Sequence, residues 1–189
     1  MKQILIILII GLLMFSCKNY RLSKSDLEWQ PYKVGDKLIF QSNKGELDTI
    51  YIKSIELHRA EDDPLTIFPN IFETQYVNGK RKILLSIGAS SNGNSYISFN
   101  LTLGKTYMRN PTMYFELKEI EPSNHKQSFD RFSKYFKIKA IEQASNMKEH
   151  PFDLRYIYWS KEYGYLGLEF KDDYIWTLKS FVRNGKELL

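Results

Sequence analysis

The chain has 189 residues, of which 43% are hydrophobic, 26% charged and 15% aromatic. That length suits one ordinary domain with enough interior to fold unaided, and the aromatic content excludes a disordered chain. The formal net charge is +5, but 27 basic residues are spread along the chain among 22 acids, so they read as a solvated surface and no basic stripe points to nucleic acid.

Lys2 precedes an uninterrupted apolar run, Ile4 to Phe15, which Ser16 and Cys17 close. As a helix those twelve residues would reach ~18 Å, short of the ~30 Å hydrocarbon core of a bilayer. The run therefore reads as a signal peptide, residues 1–16, and not as a span. The segment Leu13-Met14-Phe15-Ser16-Cys17 resembles a bacterial lipobox, in which the leader is removed just before a cysteine that carries the lipid. The resemblance implies Cys17 as the lipidation site and the membrane as a partner through that lipid. Cys17 is the sole cysteine, so an exported domain must be held by its core, without disulfides.

Residues 17–30 are expected to form the lipidated cysteine and a polar tether, reaching ~40 Å when fully extended. A single β domain, residues 31–189, should follow. Trp29 is expected to fold back on that domain as a plug, because an edge tryptophan commonly closes an open end. Leu38-Ile39-Phe40 predicts a strand. Asn43-Lys44-Gly45 predicts a turn, and Glu46 to His58 a long curved strand, apolar on both faces near its middle, with either a bulge near Lys53 or burial on both sides. Glu61-Asp62-Asp63-Pro64 reads as a polar loop. Asn78-Gly79, between Ile71–Val77 and Arg81–Ile87, predicts a tight hairpin turn, since both central residues tolerate positive φ.

Ile97, Phe99, Leu101 and Leu103 alternate with Tyr96, Ser98, Asn100 and Thr102, so one face of this strand meets the core and the other meets water or a partner. Met113, Phe115 and Leu117 repeat the alternation. Gln127 to Lys134 suits one or two helical turns, and Phe136 to Ile141 returns to period two. Leu154–Trp159, Tyr165–Phe170 and Tyr174–Phe181 predict a closing meander. The fold class is therefore all-β: about ten antiparallel strands in a strongly bent sheet, a barrel, half-barrel or sandwich, with at most one short helix.

Chemistry is hard to assemble. His58, His125 and His150 lack zinc-ligand spacing, and the Glu61-Asp62-Asp63 run lacks the oxygen spacing and glycine of a calcium loop, so no metal or other cofactor is expected. Gly88-Ala89-Ser90-Ser91-Asn92 lacks the second glycine of a nucleophile elbow, no catalytic residue emerges, and the chain reads as a non-enzyme. The most suggestive cluster is aromatic: Tyr156, Tyr158, Trp159, Tyr163, Tyr165 and Trp176, beside Tyr174. Core packing explains it, and so does an aromatic binding surface on a face that looks away from the core.

Trp29-Gln30-Pro31-Tyr32, Gly35-Asp36-Lys37-Leu38-Ile39-Phe40, Gly45-Glu46-Leu47-Asp48-Thr49-Ile50 and Tyr158-Trp159-Ser160-Lys161-Glu162-Tyr163-Gly164 together resemble small Bacteroidetes-type envelope lipoproteins of unassigned function. In such bacteria Asp-Thr before an aliphatic residue is similar to an O-glycosylation signal, which singles out Thr49. No acidic run resembling a surface-export signal follows Cys17. The resemblance therefore implies an outer-membrane lipoprotein facing the periplasm rather than the cell surface. It is expected to serve as a structural or partner-binding module, with an envelope protein as partner, or as a carrier or sensor of an apolar ligand, a lipid or acyl chain.

Overall fold

The computed structural model describes residues 19–61, 70–79, 83–90, 93–104, 113–122, 129, 132, 134–140 and 154–189. The signal segment and Cys17 lie outside them, as do Asp62 to Pro64, His125 and His150. The chain folds as one strongly curled antiparallel half-barrel of ten strands. The first meander comprises β2 (Lys37–Ser42), β3 (Leu47–Glu61), β4 (Ile71–Gly79), β5 (Ile83–Ala89), β6 (Ser95–Phe99) and β7 (Met113–Glu116). The second comprises β8 (Phe136–Lys139), β9 (Leu154–Ser160), β10 (Gly164–Phe170) and β11 (Ile175–Arg183). Antiparallel pairing of β2 with β11 joins the two, giving the order β7-β6-β5-β4-β3-β2-β11-β10-β9-β8. Two short strands add to this path: β1 (Asn19–Tyr20) pairs in parallel with β4, and β12 (Lys186–Glu187) pairs with β11.

The fifteen residues of β3 make the curl. Residues 47–51 pair with β2 and residues 52–61 with β4, and the register slips between Ile52 and Ser54, at the expected bulge. A bulge sharpens local twist, so one strand serves two differently inclined halves of the sheet. Further register shifts flank Leu166 in β10 and Lys179 in β11. Each keeps the buried side chains on the concave face: Phe40 stays opposite Leu178, and Leu38 opposite Phe181.

Two local expectations need correction. Asn78 and Gly79 are not a turn: they continue β4 and pair with Ser54 and Ile52. The long β3 supplies partners for them, and the connection that follows lies outside the described residues. The stretch expected to be a tether is packed on the domain from Asn19 onward. After β1, Ser23 caps the short helix α1 (Lys24–Leu27) in a reciprocal capping box with Asp26. Leu22 N–H donates to the buried Glu73 carboxylate, which also holds Arg59. Trp29 is buried as expected, its ring centroid 4.6 Å from that of Phe136. The helix expected over Gln127–Lys134 lies largely outside the described residues; of those described, Phe132 N–H donates to Phe129 C=O.

The curl is closed by Tyr165. Its hydroxyl donates to Leu84 C=O at 2.8 Å and accepts from Asn100 N–H at 3.0 Å, bridging β10 to the opposite half of the sheet. Its own N–H donates to the Tyr32 hydroxyl at 2.8 Å. Gly164, at φ +75°, makes room for this: a Cβ there would sit 2.0 Å from the Tyr32 oxygen. At the β2–β11 seam Arg183 clasps the buried Asp36 with two donors, at 2.8 and 2.6 Å, and also donates to Pro31 C=O.

Tyr165→Phe removes the bridge and should cost about 1–3 kcal/mol in urea unfolding, whereas Tyr163→Phe should cost under about 0.5. Equal, negligible losses would show that the hydroxyl bridge does not hold the curl. Burial also pushes the Tyr32 and Tyr165 hydroxyls well above the ordinary 10.0 of a phenol. The unfolded chain releases these protons first, so their stabilisation is complete below about pH 10 and is lost as pH rises beyond it. Ultraviolet titration should leave some of the 13 tyrosines un-ionised until the chain unfolds. Uniform ionisation in the folded state would contradict this burial.

Candidate functional site

The aromatic cluster of the second meander is core, not surface. Trp159 and Trp176 are 0% exposed and Tyr165 is 1% exposed, while Tyr158 is also buried. Trp159 meets Phe99 of β6 at 5.1 Å and Tyr165 at 4.9 Å, edge to face. Tyr158 points the other way, but that face is covered as well. Its ring lies 4.2 Å from Phe129, and its hydroxyl donates to Glu169. Only Tyr156 and Tyr163 are half-buried, Tyr156 beneath Lys137 and Tyr163 against Phe132 and Phe181. Aromatics occupy both faces of β9 because both faces have something to pack against.

Thr49 lies within β3, half-buried and opposite Ile39, not in a loop. The adjacent Asp48 is structural: its carboxylate accepts from Thr49 N–H and from Gly104 N–H. His58 contacts Glu56 at 3.3 Å. Among the described residues no three His, Cys, Asp or Glu side chains converge as metal ligands.

What the structure brings together is on the convex face of the first meander. Register places Glu56, Tyr76, Ser86, Ser98 and Tyr114 in one row across β3 to β7, and His58, Thr74, Gly88, Tyr96 and Glu116 in the next. The partners of these residues in sequence, such as Val77, Leu85, Ile97 and Phe99, point inward and are buried. Four rings span the two rows. His58 meets Tyr76 edge to face at 5.1 Å, and Tyr96 meets Tyr114 at 5.3 Å. The phenol end of Tyr96 lies over Gly88, where a Cβ would come within 2.2 Å of the ring's Cζ. Tyr114 is 55% exposed.

Polar groups beside these rings are already oriented. Glu56 accepts from Ser54 Oγ and Asn78 Nδ2 and faces His58, and these hydrogen bonds, led by Ser54, hold its carboxyl below the ordinary carboxylate value. At the other end Glu116 accepts from Asn94 Nδ2 at 3.1 Å and pairs with Lys118 Nζ at 3.0 Å. Two open hollows, of about 430 and 370 Å³, meet there and share Ser90, Asn94 and Ser95 at the β5–β6 connection. The smaller runs up to Tyr96, Tyr114 and Glu116. The larger reaches Tyr20, Arg21 and Asp26, at the start of the described chain, and Lys118, just after β7.

The sequence marks Tyr96 as outward-facing by alternation alone. Tyr76 and Tyr114 join it only through strand register, which no local pattern reveals. Gly88→Ala should lift Tyr96 off β5 and separate it from Tyr114. Loss of the proton contacts between the two rings by NMR is the expected result, and their retention would show that Gly88 does not seat the ring. No family model matches the chain, and no curated protein or solved structure is significantly similar to it.

Proposed function

We propose that the protein is a lipid-anchored, non-enzymatic binding module of the bacterial envelope, held through Cys17 and using the convex face of its first meander. The observation that carries this reading is the contrast between the two halves of the sheet. Around β9 and β10 both faces are covered by packed side chains. Across β4 to β7 the outer face carries a ring-and-carboxylate track that ends in the exposed Tyr114. Exposed aromatics flanked by oriented polar groups are the usual make-up of a recognition surface.

The carrier reading requires a continuous apolar cavity inside the curl. Among the described residues that interior is occupied by Phe40, Phe99, Trp159, Tyr165 and Trp176, all fully buried or nearly so, which favours the surface over the interior. The lipobox-like segment and the absence of an acidic run after Cys17 support an outer-membrane anchor on the periplasmic side. With β1 beginning at Asn19, a lipid on Cys17 would hold the domain within ~7 Å of the bilayer, at up to ~3.6 Å per residue.

In the native host, Cys17→Ser should move the protein out of the membrane fraction and abolish palmitate incorporation. A benzophenone amino acid at position 114 should cross-link an envelope component, while the same probe at Val34, 59% exposed in the turn before β2, should not. Labelled Cys17→Ser protein would sink the anchor. A position 114 that captures nothing would sink the binding surface.

A further inference from the structure

We infer that the ligand of this face is a neutral saccharide chain, bound in the hollow between Tyr96, Tyr114, Asn94 and Glu116 and continued along the tyrosine track toward Tyr76. The inference rests on the binding-module reading and names its ligand class.

Charge is the first argument. Among the described residues the two hollows are lined by two cations, Arg21 and Lys118, and two carboxylates, Asp26 and Glu116. A balanced lining does not select a phosphate, a nucleic acid or an acidic lipid headgroup, each of which needs a surplus of positive charge. Polarity is the second. The wall of the smaller hollow mixes the rings of Tyr96 and Tyr114 with Ser90, Ser95, the Asn94 amide and the Glu116 carboxylate, a lining that suits a ligand with both apolar faces and hydroxyls better than a bare acyl chain.

What remains is a ligand with both hydroxyl groups and flat C–H faces. A pyranose ring offers its C–H face to an aromatic ring and its hydroxyls to amide and carboxylate groups, and Tyr114 with Asn94 and Glu116 supplies both kinds of partner. Glu116 is held by Asn94 and Lys118, so less ordering is needed when a sugar hydroxyl arrives. Direction comes from the sheet. At ~4.8 Å per strand, the track from β7 to β4 covers about 14 Å, the scale of a short oligosaccharide. The small residues Ser86, Gly88 and Ser98 keep its floor low between the rings.

The test uses saturation-transfer NMR and calorimetry on the full chain in detergent, with neutral glucan, mannan, xylan and chitin oligosaccharides as probes. At least one class should bind at millimolar Kd or tighter. Tyr114→Ala should weaken it at least tenfold and Glu116→Gln severalfold, while Tyr51→Ala, on the far side of the β3 bulge, leaves it unchanged. Glu116→Gln keeps the shape of the site and serves if Tyr114→Ala unfolds. The inference is overturned if no class binds, or if binding ignores both substitutions. Should no saccharide bind while the probe at position 114 still cross-links an envelope protein, the ligand class fails and the binding module stands. Should neither occur, both fail.

Discussion

One phenol ties the facing walls of the curl across its interior. The Tyr165 hydroxyl leaves β10, crosses the concave interior and reaches Leu84 C=O and Asn100 N–H, where β5 ends its partnership with β6. A sheet of ten strands has no inherent reason to close on itself, and twist alone would leave it an open saddle. The bridge converts twist into a curl whose two inner faces touch. Tyr32 then seats the backbone of Tyr165, and the rings of Phe99, Trp159 and Tyr165 fill the volume the curl encloses.

The second constraint is the seam where the beginning and end of the domain meet. Asp36 is 1% exposed, so its carboxylate must be satisfied inside the protein. Arg183 meets it with two donors, and Lys33 N–H adds a third contact. Such a pair is weak as a source of net stability, because desolvation offsets much of the attraction. Its role here is positional. It pins residues 147 apart in sequence and so sets where β11 lies against β2.

Coverage explains why the binding face is on one half only. Phe129, Phe132 and Tyr135 lie over the outer side of β9 and β10, where the bare backbone of Gly167 lets Phe129 approach. That half is packed on both faces, with the Glu169 carboxylate held among its rings by the Tyr158 hydroxyl. Across β4 to β7, the two outward rows set the buried Ser86, Gly88 and Ser98 between the half-buried Tyr76 and Tyr96 and the exposed Tyr114. The N-terminal segment is held against β4 by the Leu22 N–H bond to the buried Glu73 carboxylate and by the Tyr20 ring stacked on Phe72. The described chain thus begins beside the larger hollow, whose wall includes Asn19, Tyr20 and Arg21.

By itself the sequence determined the all-β class, the closing meander within one or two residues, the bulge at Lys53 and the burial of Trp29. Each is a local signal: a period of two, a change of phase, or a large ring beside a strand. It also carried the leader-like segment ahead of Cys17. Tertiary structure alone decided three other matters. It turned Asn78-Gly79 from a turn into strand, because a long neighbour offered pairing that local propensity does not anticipate. It buried Trp159, Tyr165 and Trp176, because an opposing face and a covering segment arrived from distant parts of the chain. And it aligned Tyr76, Tyr96 and Tyr114, because side chains on three separate strands become neighbours only once register is set by hydrogen bonds between them.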